Sequence, residues 1–161
     1  MKRAHVLTWV LGLCLLTIGM DLGGGFYEGF LIVPLWNKIP PQTFRLIQPQ
    51  NGGINLIHFW VPVHTLLTTL LITAITMAWK NKKLRQPILI ALGTYFAMRI
   101  WTFAYFIPEI TAFIATDPTG ASSPELLART KRWEILSHGR TLLVAISGWF
   151  IFKAQRILLK A

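Results

Sequence analysis

The sequence predicts an all-α integral membrane protein, a bundle of four helices that crosses the bilayer four times. Three observations lead there. The 161 residues are 53% hydrophobic and only 14% charged, where a soluble domain carries about a quarter. The apolar residues fall into four long runs; since about 20 such residues cross a bilayer core, a chain of this length holds four spans with short loops and no separate soluble domain. The basic residues gather in the segments that an even number of spans leaves on one side. The formal net charge of +10 would suggest a nucleic-acid partner in a soluble protein. Here topology explains it, and the expected partners are the lipid bilayer and an apolar small molecule, not nucleic acid.

The first span is expected over residues 6–36. It opens like a signal peptide, but the apolar run continues past Gly19 without a cleavage site and reads as a retained span. Cys14, the single cysteine, sits inside it as a packing residue. The stretch GMDLGGGFYEGF comes next, and its glycine run suits close approach of another helix, within the chain or in a homo-oligomer. Asp21 and Glu28, seven apart, share a helix face. Pro34 and Trp36 close the segment, and Pro40, Pro41, Pro49 and Asn51-Gly52-Gly53 mark a loop.

The second span covers residues 54–79, with His58 and His64 near its start and Pro62 between them. A basic loop, Lys80 to Arg85, leads to a third span over 86–107. Its stripe Tyr95, Arg99, Thr102, Phe106, Glu109 matches the spacing of one helix face. After the linker TDPTGASSPE, Ser123 is the expected N-cap with Pro124 at N1. An amphipathic stretch then enters the fourth span, 133–153. The positive-inside rule places both termini and the Lys80–Arg85 loop in the cytoplasm, most simply that of a bacterium with the protein in its inner membrane.

Ionisable groups within spans are costly and mark functional sites by default. At 1.5 Å per residue, Glu28 and Arg99 lie about 12 Å from the outer ends of their spans, His64 about 15 Å and His138 about 8 Å. Only Asp21 falls outside this outer half. The pattern predicts a polar cavity near the outer face, with Glu28, Glu109 and Glu134 balancing Arg99 and Arg140. Glu134 and His138, at i and i+4, face one way and could bind a metal or relay a proton.

Two stretches, GGGFYEGFLIVPLW and RWEILSHGRTLL, resemble the small four-span family that includes anthrone oxygenases. The matching positions are Pro34, Trp133, His138 and Arg140. The resemblance implies an oxygenase acting on an activated aromatic carbon acid without a tightly bound organic cofactor. A neutral histidine would remove a proton and an arginine would stabilise the oxyanion. The catalytic candidates are His138, His64, Arg99, Arg140 and Glu134. Two other readings stay open. In one, Glu28, His64, Glu134 and His138 hold iron, copper or zinc, or His64 and His138 hold a haem. In the other, the chain is a non-catalytic membrane subunit.

Overall fold

The computed structural model describes residues 2–160, and these form an all-helical bundle with no strand among them. The first helix, α1, runs Lys2–Tyr27, passes through a π-turn at Glu28–Ile32 and ends in the short α2, Val33–Trp36. The second long helix is α3, Ile57–Ala78. The third is α4, Lys82–Trp101, continued through a π-turn at Thr102–Phe106 into α5, Ile107–Ala115. The last is α6, Pro124–Leu159. Each of the four rods is long and apolar enough to cross a membrane, and large apolar side chains such as Trp9, Leu16, Ile100, Leu142 and Trp149 lie exposed on their outer surfaces. This is a multi-pass membrane protein by length and composition.

Local chemistry explains the ends. Ser123 caps α6, its hydroxyl accepting from Leu126 N–H at 3.1 Å, with Pro124 at the first helical position as expected. Asn81 caps α4 by accepting from the Lys83 and Leu84 N–H groups. The basic loop is therefore shorter than its charges suggest, because Lys82 to Arg85 form the first turn of α4. The third rod also outruns its expected end, continuing past Pro108 to Ala115.

The two π-turns share a cause. A proline inside a helix supplies no N–H and clashes with the carbonyl four residues back. For Pro34 and Pro108 those carbonyls belong to Phe30 and Ala104, each inside a π-turn. The wider turn accommodates both rings, and Val33 N–H bonds to Glu28 O as Ile107 N–H bonds to Thr102 O.

Around the bundle the order is α1, α3, α4, α6, each packed on its two neighbours. The half that holds both termini closes on an apolar core of fully buried Leu11, Cys14, Leu67, Leu71, Ile88 and Ile151. Ser147 Oγ ties α6 to α4 by donating to Ala91 O at 3.0 Å. A second, aromatic core holds the opposite end, with Trp36 against Phe44, Phe113 and Trp133. The segment 37–56 folds across that end. Gln48, 1% exposed, donates its amide to the carbonyls of Ile114 and Thr116 at 3.0 and 2.8 Å. Between the two cores lies a cavity.

Candidate functional site

The cavity measures about 620 Å³. The N-terminal half of α3 and the α4–α5 rod form facing walls, with Trp60, Val61 and His64 on one and Arg99, Phe103 and Ile110 on the other. Residues of the 47–56 segment make the roof. Ile57, Val61, Phe103 and Ile107 line the cavity and are also exposed on the outside of the bundle, so the seam between α3 and the third rod is open to the surrounding apolar phase.

On α1 the cavity face is Asp21, Gly25 and Glu28, the i, i+4, i+7 set that the sequence spacing puts on one side. The glycine run allows the neighbours to close in. A Cβ on Gly24 would collide with the Phe59 ring, and one on Gly25 would come within 3.2 Å of Thr141 Oγ1. Gly23, by contrast, faces nothing within 4 Å.

The polar groups form a chain across α1 and α3. Trp60 Nε1 donates to Glu28 Oε2 at 2.8 Å. The Trp60 ring stacks on His64 at 5.3 Å and 17°. His64 Nδ1 lies 3.2 Å from Asp21 Oδ2, both side chains almost fully buried. Asp21 Oδ2 makes no hydrogen bond. Tyr95 Oη lies 3.2 Å from both His64 Nδ1 and His64 O, and it can donate to the carbonyl. The Asp21 carboxylate faces Nδ1, so a ring proton on that nitrogen would meet the carboxylate and leave the lone pair on Nε2. A carboxylate behind one ring nitrogen orients the ring and stabilises the cation that forms when the other nitrogen accepts a proton.

Opposite this chain sit two arginines on aromatic cushions. Arg140 rests on Phe106 with 3.9 Å from guanidinium carbon to ring centroid, and its second cushion is Trp133 at 5.4 Å. Arg99 stacks on Phe103 at 4.7 Å. Thus the π-turn supplies both rings. Among the described residues no carboxylate comes within 4.0 Å of either guanidinium, and the buried Arg140 Nε has no hydrogen-bond partner.

Comparison of the chain with protein-family models, with curated proteins and with solved structures finds no match.

Of the sequence-predicted site residues, His64, Arg99, Arg140 and Glu28 line one cavity. His138 and Glu134 do not. The cavity face of α6 is Trp133, Ser137, Arg140, Thr141 and Val144, a run at helical spacing. His138 is one position beyond Ser137, about 100° further round. It is exposed, with its ring against Phe30 at 5.4 Å and its edge over Gly29. Glu134 accepts from Asn37 at 2.6 Å and Lys131 at 3.0 Å, beside a separate shallow groove with Pro34 and Leu127. The metal set Glu28, His64, Glu134 and His138 is therefore not assembled. Among the described residues no three His, Cys, Asp or Glu side chains gather to hold an ion, and a haem bridging His64 and His138 lacks its second ligand in the cavity.

The expected ion pairing is also corrected. Glu109 leaves the cavity face because the π-turn inserts an extra residue and rotates the helix beyond it. It takes a two-pronged bond from Arg129, both contacts 3.1 Å, while Ile110 and Ile114 face the cavity instead.

Asp21, set apart by depth in the sequence, proves central. Glu28 is level with Trp60, yet the first rod runs on to Trp36 whereas α3 starts only three residues before Trp60. The first rod overshoots by roughly 8 Å, so depths measured from the two ends do not match. The one signal that could have found Asp21 is its position seven residues before Glu28 on the same face.

Proposed function

We propose that the chain is a membrane-embedded enzyme that takes a proton from an apolar carbon acid in this cavity, with His64 as the base. The observation that carries the reading is Asp21 placed behind His64 Nδ1 at 3.2 Å in the wall of a mostly apolar pocket. General base catalysis needs a neutral imidazole held in one orientation, and it contributes about 10²–10⁴-fold in rate. Proton removal leaves negative charge that spreads onto an adjacent oxygen, and Arg140 or Arg99 would meet it. Charge developing beside fixed cations in a dry site is strongly stabilised. The pocket size falls in the range of small-molecule sites, about 300–1,000 Å³.

The two motifs shared with the anthrone oxygenase family extend this to an oxidoreductase. The carbanion adds dioxygen, and the hydroperoxide loses water to leave a carbonyl. A CH₂ group and O₂ thus become C=O and H₂O, and the proton held by His64 returns with the water. His138, the motif histidine, lies on the outer surface of α6, outside the cavity. With the basic segments in the cytoplasm, the cavity opens within the outer half of the membrane.

Anthrone is a direct probe. Under nitrogen in D₂O, the full chain in lipid nanodiscs should incorporate deuterium at the acidic carbon faster than protein-free nanodiscs. Under air it should yield anthraquinone. His64→Gln should remove both accelerations while leaving the helical circular dichroism unchanged. Exchange and oxidation that persist undiminished in His64→Gln would overturn the assignment. No acceleration by the wild-type chain would leave a binding protein.

A further inference from the structure

The arginines say more about the ligand than the base does. Arg140 is a half-buried cation whose buried Nε has no acceptor, with two aromatic faces beside it. Arg99, on the same cavity, has a ring beneath it and no carboxylate within ion-pairing distance. Among the described residues no acid forms an ion pair with either arginine. Asp21 is turned to His64, Glu28 accepts from Trp60, Glu109 is gripped by Arg129, and Glu134 by Asn37 and Lys131.

A chain that merely needed a filled bundle would put methionine or leucine at these places, because a buried charge without its hydrogen bonds is costly. A guanidinium over a ring, with no carboxylate paired to it, retains N–H donors for a planar oxyanion. The remaining walls are mostly apolar, running from Val33 and Ile47 to Ile57 and Ile110.

We infer that the ligand of this cavity is an anionic amphiphile: an apolar body ending in an ionised carboxylate-type group that Arg99 and Arg140 grip together. The head lies at the level of Arg140 and Thr141, and the body extends toward the open seam between α3 and α5. Glu28, on the facing wall, is the opposing charge that weakens anion binding. The inference rests on the cavity being a ligand site; it does not depend on His64 acting as a base.

Anthracene-9-carboxylate tests it, with anthracene-9-methanol as the neutral analogue. Energy transfer from the chain's tryptophans to the anthracene reports binding to the full chain in nanodiscs. The carboxylate should bind at least ~10-fold more tightly than the alcohol, the range of charge-assisted hydrogen bonds. Arg99→Gln and Arg140→Gln should each erase most of that preference, with alcohol binding unchanged. Glu28→Gln should strengthen carboxylate binding several-fold. If Arg140→Gln fails to fold, Arg99→Gln and Glu28→Gln carry the test in full. Equal affinity for the two probes, or carboxylate affinity indifferent to these substitutions, overturns the inference. Full competition by inorganic phosphate would overturn the need for an apolar body. If the preference is absent while His64-dependent deuterium exchange is intact, this inference falls and the proposed chemistry stands; binding preference without exchange gives the reverse. Failure of both probes to bind removes the ligand site itself.

Discussion

Replacing Arg140 by methionine separates a structural cation from a ligand-binding one. The substitution keeps an unbranched apolar stem and removes the guanidinium. The loss is the stacking on Phe106 at 3.9 Å and on Trp133 at 5.4 Å, worth about 0.5–2 kcal/mol for a desolvated cation–π pair. The gain is relief from burying an Nε without an acceptor, about 1–3 kcal/mol for an unsatisfied buried group. Glu28 keeps its bond from Trp60 throughout. The two effects nearly cancel, so stability should change by no more than about 1 kcal/mol. For a chain of this size that is a Tm shift of about 2–4 °C in either direction. Thermal unfolding in detergent, monitored by helical circular dichroism, measures it. Arg129→Met is the matched comparison: it breaks the two-pronged bond to Glu109 but lies at a partly exposed pair, so its cost is at most about 1 kcal/mol. A Tm loss beyond about 8 °C in Arg140→Met alone, equivalent to ~3 kcal/mol or more, is the cost of breaking a genuine buried ion pair. That result would refute the reasoning, because it would show Arg140 to be a strut of the bundle.

The same geometry sets four other outcomes. Asp21→Asn should slow anthrone deuterium exchange by about 10²-fold or more, the lower range for a positioned base, with carboxylate-probe binding retained; exchange at the wild-type rate would remove Asp21 from the account. His138→Ala should leave probe binding and exchange within about twofold, far below the effect of losing a positioned base, since its ring packs on Phe30 outside the cavity; a large loss in either assay would restore it to the site. Gly53→Ala should open the roof, because a Cβ there would collide with Arg45 O and lie 2.7 Å from Gln48 N, backbone atoms that cannot swing aside; accelerated proteolysis within residues 42–56 is the readout, and an unchanged digestion pattern would contradict it. Ser147→Ala should lower stability by about 1 kcal/mol through loss of its bond to Ala91 O, visible as a Tm decrease of about 2–4 °C.

The four rods were legible in the sequence because a bilayer demands long apolar runs, and nothing else in the chain competes with that signal. Ser123, the glycine run and the shared face of Asp21 and Glu28 were legible for similar reasons, each being a local rule. Periodicity could not give the two π-turns, since a count at 3.6 residues per turn assumes no inserted residue. One extra residue before Pro108 was enough to carry Glu109 off the cavity face and bring Ile110 onto it. Depth estimates failed at Asp21 because the first rod and α3 start from different levels. His138 misled for another reason: a motif gives a residue's place in the chain, and a helix turns that place by about 100° at each step. The absence of a metal set in the described residues came from that rotation.

The central claim is that Asp21–His64 and Arg99–Arg140 face one another across a ligand cavity between α3 and the third rod. An experimental structure of the chain with anthracene-9-carboxylate bound tests it most directly. The account predicts a carboxylate forked on Arg140 or Arg99, with rings lying between Val61 and Ile110 and His64 Nε2 turned toward them. Density for the probe on the Phe30–His138 face, or guanidiniums joined to Glu28 with the cavity closed, would contradict it.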